Sequence, residues 1–176
     1  MINIIAQILG CIGLACSLLS FQMKKRGQIL GFQMTASLLF SSQLFLLGAV
    51  TGGSMDLISF IRTLIFSNNN KKWASSPLWL VGFCLVMVVT GIITWTNWWD
   101  ILPILGSILS TIALWMKSEK KIRLISLGVG PCWLIYNLVK GAWSGALNEV
   151  LAMTSIIIGY LRNDVKRDNK DKEASN

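Results

Sequence analysis

The chain has 176 residues, of which 53% are hydrophobic and only 14% are charged. Soluble domains carry about 25% charged residues, so this composition excludes a soluble globular domain. The net charge of +8 arises from basic residues in short clusters between or after long apolar runs, which is typical of cytoplasmic loops and excludes a nucleic-acid-binding face.

Seven apolar runs follow one another along the chain, and each predicts a transmembrane helix. The runs cover residues 2–21, 29–50, 54–66, 78–95, 101–116, 124–143 and 150–161. A span needs about 20 apolar residues, so we expect flanking residues to complete the short third and seventh runs. The first run has no basic segment before it and no cleavage site after it, which favours a retained helix over a signal peptide.

The basic clusters predict the orientation of these helices in the membrane. They lie at residues 24–26, 71–72, 117–123 and 162–172, which places one cluster on every second loop. Seven spans then satisfy the positive-inside rule, with the N-terminus outside and the C-terminus inside, whereas six or eight spans would break the alternation. Residues 163–176 are almost entirely polar and are expected to be disordered.

An internal repeat is indicated when the chain is compared with itself at an offset of 93 residues, which places 8–66 over 101–159. Features of different kinds coincide, among them Gly13 with Gly106, Gly48-Ala49 with Gly141-Ala142, Phe40 with Trp133, and Asp56 with Glu149. Each copy has three helices, so a second copy that followed directly would cross the membrane in the opposite direction. The fourth helix, which has no repeat partner, adds one crossing and gives both copies the same direction. The pattern predicts an all-α membrane protein with a 3+1+3 arrangement.

The predicted units are a first three-helix bundle at 1–67, a loop and linker helix at 68–99, and a second bundle at 100–162. The two bundles would be parallel and related by an axis along the membrane normal. Parallel repeats of this type occur in transporters, where the substrate site lies near the midplane between the repeats.

Three strings in the sequence resemble the YgjV-type bacterial inner membrane proteins. They are Ile61-Arg62-Thr63-Leu64-Ile65, Leu102-Pro103-x-x-Gly106-x-x-x-Ser110-Thr111 and Cys132-Trp133-x-Ile135-Tyr136-Asn137. The resemblance covers about residues 5–162 and implies a bacterial inner membrane location. That family is similar to the SWEET sugar carriers, the PnuC-type carriers and the PQ-loop proteins, so the resemblance implies the 3+1+3 fold and a carrier-like role.

The chain departs from the SWEET pattern, in which paired tryptophans and paired asparagines hold a sugar. Trp133 matches one tryptophan and Phe40 stands in the place of its partner. Neither the third nor the seventh run contains an asparagine, which puts a sugar substrate in doubt.

Arg62 lies about eight residues into the third run, which is roughly 12 Å deep in a ~30 Å hydrocarbon core. Two interpretations remain open. The guanidinium faces a central cavity, where it binds an anionic group or a carboxylate such as Asp56 or Glu149, or it extends toward the inner surface. Asp56, Asp100 and Glu149 themselves are candidates for an outer vestibule or a proton-coupling site, or else for helix caps.

Aromatic and polar residues at matching positions predict a pocket on the second and sixth helices. Trp133, Tyr136 and Asn137 share one region of the sixth helix, and Phe40 and Gln43 occupy the corresponding face of the second. These residues either hold a ring-shaped polar ligand or pack between helices. Pro131 is a candidate gating hinge or a fixed kink, because it removes one backbone hydrogen bond.

Two functions remain after these considerations. The first is a carrier that moves a small polar solute by alternating access, and the alternative is a non-transporting subunit or receptor with the same fold. The chain has no histidine, no metal-binding spacing and no nucleophile–base spacing, so no enzymatic activity and no cofactor are predicted. The expected partners are the lipid bilayer and an unknown small polar solute, with no nucleic acid, and the chain is expected to be a monomer or a homo-oligomer.

Overall fold

The computed structural model describes residues 1–23, 26–67, 76–116 and 119–160, which form seven α-helices, one 3-10 turn and no strand. The helices are α1 (Ile2–Gln22), α2 (Arg26–Leu46), α3 (Val50–Ser67), α4 (Leu78–Ile93), α5 (Ile101–Trp115), α6 (Glu119–Lys140) and α7 (Trp143–Tyr160). The all-α class and the number of helices agree with the seven runs. The tail that the sequence predicts to be disordered lies outside the described residues.

The helix boundaries differ from the predicted runs at two places that matter for the site. Helix α3 begins at Val50 rather than at residue 54, and α7 begins at Trp143 rather than at residue 150. The sequence interpretation had assigned Val50 to the second run and Trp143 to the sixth, which is wrong. Both helices are 18 residues long, so the flanking residues do complete these two short runs.

The early starts of α3 and α7 follow from two tight turns centred on Gly48 and Gly141. Both glycines have a φ of 72°, the left-handed conformation that side chains with a Cβ rarely adopt. The N–H of Ala49 donates to the carbonyl of Leu44 at 2.8 Å, and the N–H of Ala142 donates to that of Asn137 at 2.8 Å. These are Schellman caps, which end one helix and let the next begin within a few residues.

Six of the helices contact one another in a closed ring. Helix α2 packs between α1 and α3, α6 packs between α5 and α7, and contacts between α1 and α7 and between α3 and α5 complete the ring. Helix α4 lies against α3 and α5 and buries a single stripe of residues, Phe83, Met87 and Gly91. Its spacing of four residues places these three on one face of α4, and the other residues of the helix are exposed or only partly buried.

The exterior of the ring is apolar, as a lipid-facing surface requires. Three segments of the described chain are long and apolar enough to cross a membrane by length and composition, namely Ile2–Ser20, Trp98–Trp115 and Lys121–Lys140. Leu78–Ile93 and Trp143–Ile158 are shorter apolar helices. In Ile2–Ser20 the exposed residues include Ile4, Ile8 and Ile12, which recur at the helical spacing of one face.

The turn geometry gives a prediction for Gly141. The methyl group added by Gly141→Ala would have no atom within 4 Å, so it causes no steric clash. Any loss of stability then comes from the left-handed backbone alone. We expect Gly141→Ala to lower the free energy of unfolding by about 1–2 kcal/mol, measured as a lower thermal midpoint of the purified protein in detergent.

The matched control is Gly82→Ala in α4, where the same added methyl group also meets nothing within 4 Å but φ is helical. Alanine favours helix over glycine by about 0.5–1 kcal/mol, so this variant is expected to keep or raise the midpoint. Equal losses in the two variants would contradict the prediction.

Candidate functional site

A cavity of about 200 Å³ lies inside the ring of helices, and we call it the central cavity. Helices α2, α3, α5, α6 and α7 all contribute to its lining. The lining residues are Ser37, Phe40, Gln43, Leu44, Asp56, Ser59, Arg62, Ser110, Val129, Trp133, Asn137, Gly145, Asn148 and Glu149. Most of these side chains are polar, although they lie in the middle of an otherwise apolar bundle.

The central cavity extends toward one end of the bundle. We call this the basic end, because α1, α3, α5 and α7 end there and each is followed in the sequence by a basic cluster. We call the opposite end the turn end, because Gly48 and Gly141 lie there. Two adjoining cavities of about 240 and 350 Å³ share residues with the central cavity and reach Gln33 near the start of α2 and Ile122 near the start of α6.

The two halves of the ring, α1–α3 and α5–α7, meet where α1 contacts α7 and where α3 contacts α5, and we call these two places the seams. Toward the turn end, buried polar contacts join the two halves on both sides. At the α1–α7 seam, Gln43 donates to Gln7 at 3.2 Å and to the hydroxyl of Ser144 at 2.9 Å, and Gln7 donates to the carbonyl of Gly141 at 2.7 Å. Gly10 leaves room for this network, because a Cβ there would lie 2.0 Å from the Ser144 hydroxyl.

On the side of the α3–α5 seam, the corresponding contact is made by Tyr136. This residue is the repeat partner of Gln43, 93 residues further along the chain. Tyr136 is completely buried and its hydroxyl accepts a hydrogen bond from the N–H of Gly52 at 3.1 Å, which joins α6 to α3. Tyr136 is not among the residues that line the central cavity. The structure therefore places this predicted binding residue in the packing between helices.

Arg62 lies at the side of the central cavity and is only 5% exposed. One terminal nitrogen of its guanidinium donates to the hydroxyls of Thr111 and Ser110 and to the carbonyl of Ser107, all on α5. The side chain is held inside the bundle, so the interpretation in which it extends to the inner surface is wrong. Within the described residues it forms no ion pair, although Asp56 is close enough to interact with it electrostatically.

Asp56 and Glu149 both line the central cavity, from α3 and α7 respectively. Each is the seventh residue of its helix, so neither can cap the free N–H groups of the first turn, and the capping interpretation is wrong for both. The two carboxylates lie near enough to interact. The amide of Asn148 lies 3.5 Å from a carboxylate oxygen of Glu149.

Phe40 and Trp133 line the central cavity from α2 and α6, and each ring packs against a glycine of the neighbouring helix. A Cβ on Gly13 would lie 3.3 Å from the ring of Phe40, and a Cβ on Gly106 would lie 2.8 Å from the indole nitrogen of Trp133. The glycines let both rings recede into the wall while one side of each remains in the cavity.

Asp100 lies at the turn end, outside the central cavity, and its side chain caps the 3-10 turn Trp98–Asp100 rather than α5. One of its carboxylate oxygens accepts hydrogen bonds from the N–H groups of Thr96 and Asn97 and from the Thr96 hydroxyl, at 2.7–2.9 Å. The other oxygen lies 3.6 Å from the ammonium of Lys140 at the end of α6. Pro131 is an exposed residue within α6, which runs unbroken from Glu119 to Lys140.

The structure brings several residues into the site that the sequence interpretation missed. Asn148 lines the cavity from α7, whereas the predicted seventh run began after it and was thought to contain no asparagine. Ser37, Ser59 and Ser110 add hydroxyl groups from three further helices. Ser37 and Ser59 share the helix faces of Phe40 and Asp56 at a spacing of three, a signal that could have located them.

No group of three or more potential metal-ligating side chains occurs within the residues that the structure describes. The chemistry available in the central cavity is therefore that of two carboxylates, one guanidinium, amides, hydroxyls and two aromatic faces.

A helical bundle with an apolar exterior and a charged internal cavity defines a multi-pass membrane protein. The chain belongs to the Imp-YgjV family of bacterial inner membrane proteins, whose sequence profile matches residues 4–167. It is similar to inner membrane protein YgjV of Escherichia coli (strain K12), with 29% identity over 108 residues, 60% of this chain and 55% of that protein. No solved structure matches the chain.

These comparisons confirm the resemblance to YgjV and the bacterial inner membrane as the location. The similarity to SWEET, PnuC-type and PQ-loop carriers stays a prediction.

The contacts of Arg62 give a second prediction, for Thr111. Replacing Thr111 with valine keeps the shape of the side chain but removes an oxygen that accepts from the buried guanidinium. A hydrogen bond to a charged group contributes about 1.5–3 kcal/mol, and the loss is expected near the lower end of that range because the same nitrogen keeps Ser110 and Ser107 as acceptors. We expect Thr111→Val to lower the thermal midpoint in detergent accordingly.

Thr35→Val is the matched control, because the Thr35 hydroxyl is exposed and donates only to the carbonyl of Gly31 in its own helix. This variant is expected to leave the midpoint nearly unchanged. A Thr111→Val protein as stable as the wild type would show that the contact between α3 and α5 contributes little.

Proposed function

We propose that this chain is a carrier that moves a small polar solute across the bacterial inner membrane. In this proposal all seven helices cross the membrane, α1–α3 and α5–α7 form two parallel three-helix units, and α4 links them. Transport occurs by alternating access, in which the two units rearrange around the central cavity.

The observation that carries the proposal is the set of charged side chains around an internal cavity. An arginine near the centre of a transmembrane helix costs about 2.5–3.5 kcal/mol on insertion scales. Arg62 shares its cavity with Asp56 of the same helix and with Glu149 of α7. Ionisable residues in this position are a feature of solute pathways, because a bundle without a pathway is more stable with an apolar interior.

Matching local geometry supports the two-unit arrangement. The glycine turns at Gly48 and Gly141 have the same φ and the same cap hydrogen bonds, 93 residues apart. The contact of Phe40 with Gly13 recurs between Trp133 and Gly106 at the same offset. A repeat of internal contacts, rather than of single residues, is what two copies of one unit would produce.

The positive-inside rule supports an orientation with the basic end in the cytoplasm. The central cavity adjoins further cavities at that end, and the buried contacts of Gln43 and Tyr136 lie toward the other. In the proposed orientation the cavities of this structure extend toward the cytoplasmic side.

Alternating access can be tested before the solute is known. Cys11, Cys16, Cys84 and Cys132 are first replaced by serine, and Ser59→Cys then places one thiol in the cavity. A small membrane-impermeant thiosulfonate is added to membrane vesicles of each orientation. We expect labelling from both sides, with the rate from the turn end lower because a minor conformer is typically ~0.1–10% populated.

Ser41→Cys is the control for Ser59→Cys, because Ser41 is also a serine on a helix but is 3% exposed and lies outside the central cavity. It is expected to remain unlabelled from either side. Labelling of Ser59→Cys from the basic end alone would refute alternating access and would favour a receptor or subunit that keeps the fold without transport.

A further inference from the structure

We propose that the central cavity binds a small organic monocation that also carries a hydrogen-bond acceptor, such as a hydroxyl or carbonyl group. This inference rests on the proposed function and assigns a chemical class to its solute. Three features of the cavity carry it, namely its charge balance, its aromatic walls and one unused donor.

The first feature is the balance of charge. Asp56 and Glu149 bring two carboxylates to the central cavity and Arg62 brings one guanidinium, and the other lining residues carry no formal charge. Among the residues that the structure describes, the two adjoining cavities add no further charged residue. With both acids ionised the site has a net charge of minus one, which a ligand with one positive charge neutralises. An anionic ligand would make the net charge of the site more negative. A neutral ligand would leave one uncompensated negative charge, which is unfavourable where the dielectric constant is low.

Arg62 does not remove this imbalance by pairing with either acid. Its described hydrogen bonds all go to neutral oxygens of α5, which fix its terminal nitrogen on the wall away from α7. Glu149, on α7, is close to a polar group at 3.5 Å, the amide of Asn148. A carboxylate in this position has oxygens free to accept from, or lie beside, a bound cation.

The aromatic walls are the second feature. Phe40 and Trp133 face the same cavity as the two carboxylates and lie at equivalent positions of α2 and α6. The negative face of an aromatic ring attracts a cation, most strongly where water is displaced. Carboxylates combined with ring faces recognise an ammonium group better than they recognise a neutral hydroxylated ring.

The third feature is a buried donor without a partner. Within the described residues, the Nε–H of Arg62 and the hydroxyl of Ser107 are buried and have no hydrogen-bond partner. Arg62 is itself only 5% exposed and lines the cavity. Nε has almost no accessible surface in this conformation, so a ligand oxygen removes this cost when the guanidinium turns to present Nε to the cavity. The ligand therefore needs an acceptor in addition to its positive charge.

The test uses ligands of one shape and different charge on the purified full chain in detergent. Choline carries a permanent positive charge and a hydroxyl, dimethylbutanol is its neutral carbon isostere, dimethylbutanoate is an anion of similar shape, and glycine betaine is a zwitterion. Benzyltrimethylammonium is a second, larger cation. Binding is measured by calorimetry and by the rise of the thermal midpoint with ligand concentration.

We expect choline to bind and raise the midpoint more than benzyltrimethylammonium, which has the positive charge but no oxygen acceptor. The neutral, anionic and zwitterionic compounds are expected to have little effect. Asp56→Asn or Glu149→Gln is expected to weaken binding of the cation by about tenfold or more, because a partly buried charge partner is lost. The double variant leaves Arg62 as the one charge of the cavity, so it is expected to lose the cation and to gain binding of dimethylbutanoate.

Asp100→Asn is the matched control, because it removes a carboxylate of equal charge outside the central cavity. It is expected to lower the midpoint of the unliganded protein, since the Asp100 carboxylate accepts from the N–H groups of Thr96 and Asn97 at the 3-10 turn before α5, but to leave the shift caused by the cation intact. The switch of the double variant from cation to anion is a signature that simple destabilisation would not produce.

Failure to bind choline, or binding of choline no stronger than that of dimethylbutanol or of benzyltrimethylammonium, would overturn the assignment of the ligand class. Preferential binding of glycine betaine or of dimethylbutanoate would overturn it as well. The labelling of Ser59→Cys from both sides of the membrane needs no ligand, so it tests the carrier separately. A chain labelled from both sides that binds no cation keeps its proposed function and loses this inference.

Discussion

The contact between Arg62 and α5 is the constraint on which the arrangement of the bundle depends. A guanidinium in the interior of a membrane protein must have its charge and its donors satisfied by neighbouring helices, because no bulk water is available. Here the hydroxyls of Ser110 and Thr111 and the carbonyl of Ser107 meet that requirement for one terminal nitrogen of Arg62. The contact therefore fixes α3 against α5 at mid-depth, and it holds the cavity wall in place.

The positions of the two acids follow from where their helices begin. The turns at Gly48 and Gly141 start α3 and α7 early enough that Asp56 and Glu149 fall in the second turn rather than at the first residue. At that depth a carboxylate no longer satisfies free backbone groups. Its side chain faces the central cavity instead, opposite the aromatic rings of Phe40 and Trp133.

The sequence was sufficient for the helices and for part of the site, and the reason differs from residue to residue. Apolar runs report burial or lipid contact directly, so the seven helices could be predicted, whereas the sequence left open whether the Arg62 side chain is buried or extends to the inner surface. Tyr136 could not be separated from Trp133, because both are aromatic residues on one helix face and only the position of Gly52 decides which one packs. Asn148 was missed because a glycine turn was not recognised as the start of α7.

The two glycine turns have a mechanical consequence. Three residues connect α2 to α3 and two connect α6 to α7. Cap hydrogen bonds fix the backbone of these connections, so neither connection can extend. Sliding of α2 along α3, or of α6 along α7, would break those bonds before it moved a helix by one turn. Helices α2 and α3 thus move together as one rigid body, as do α6 and α7. Any large motion must therefore occur at the contacts between these helix pairs and the other helices.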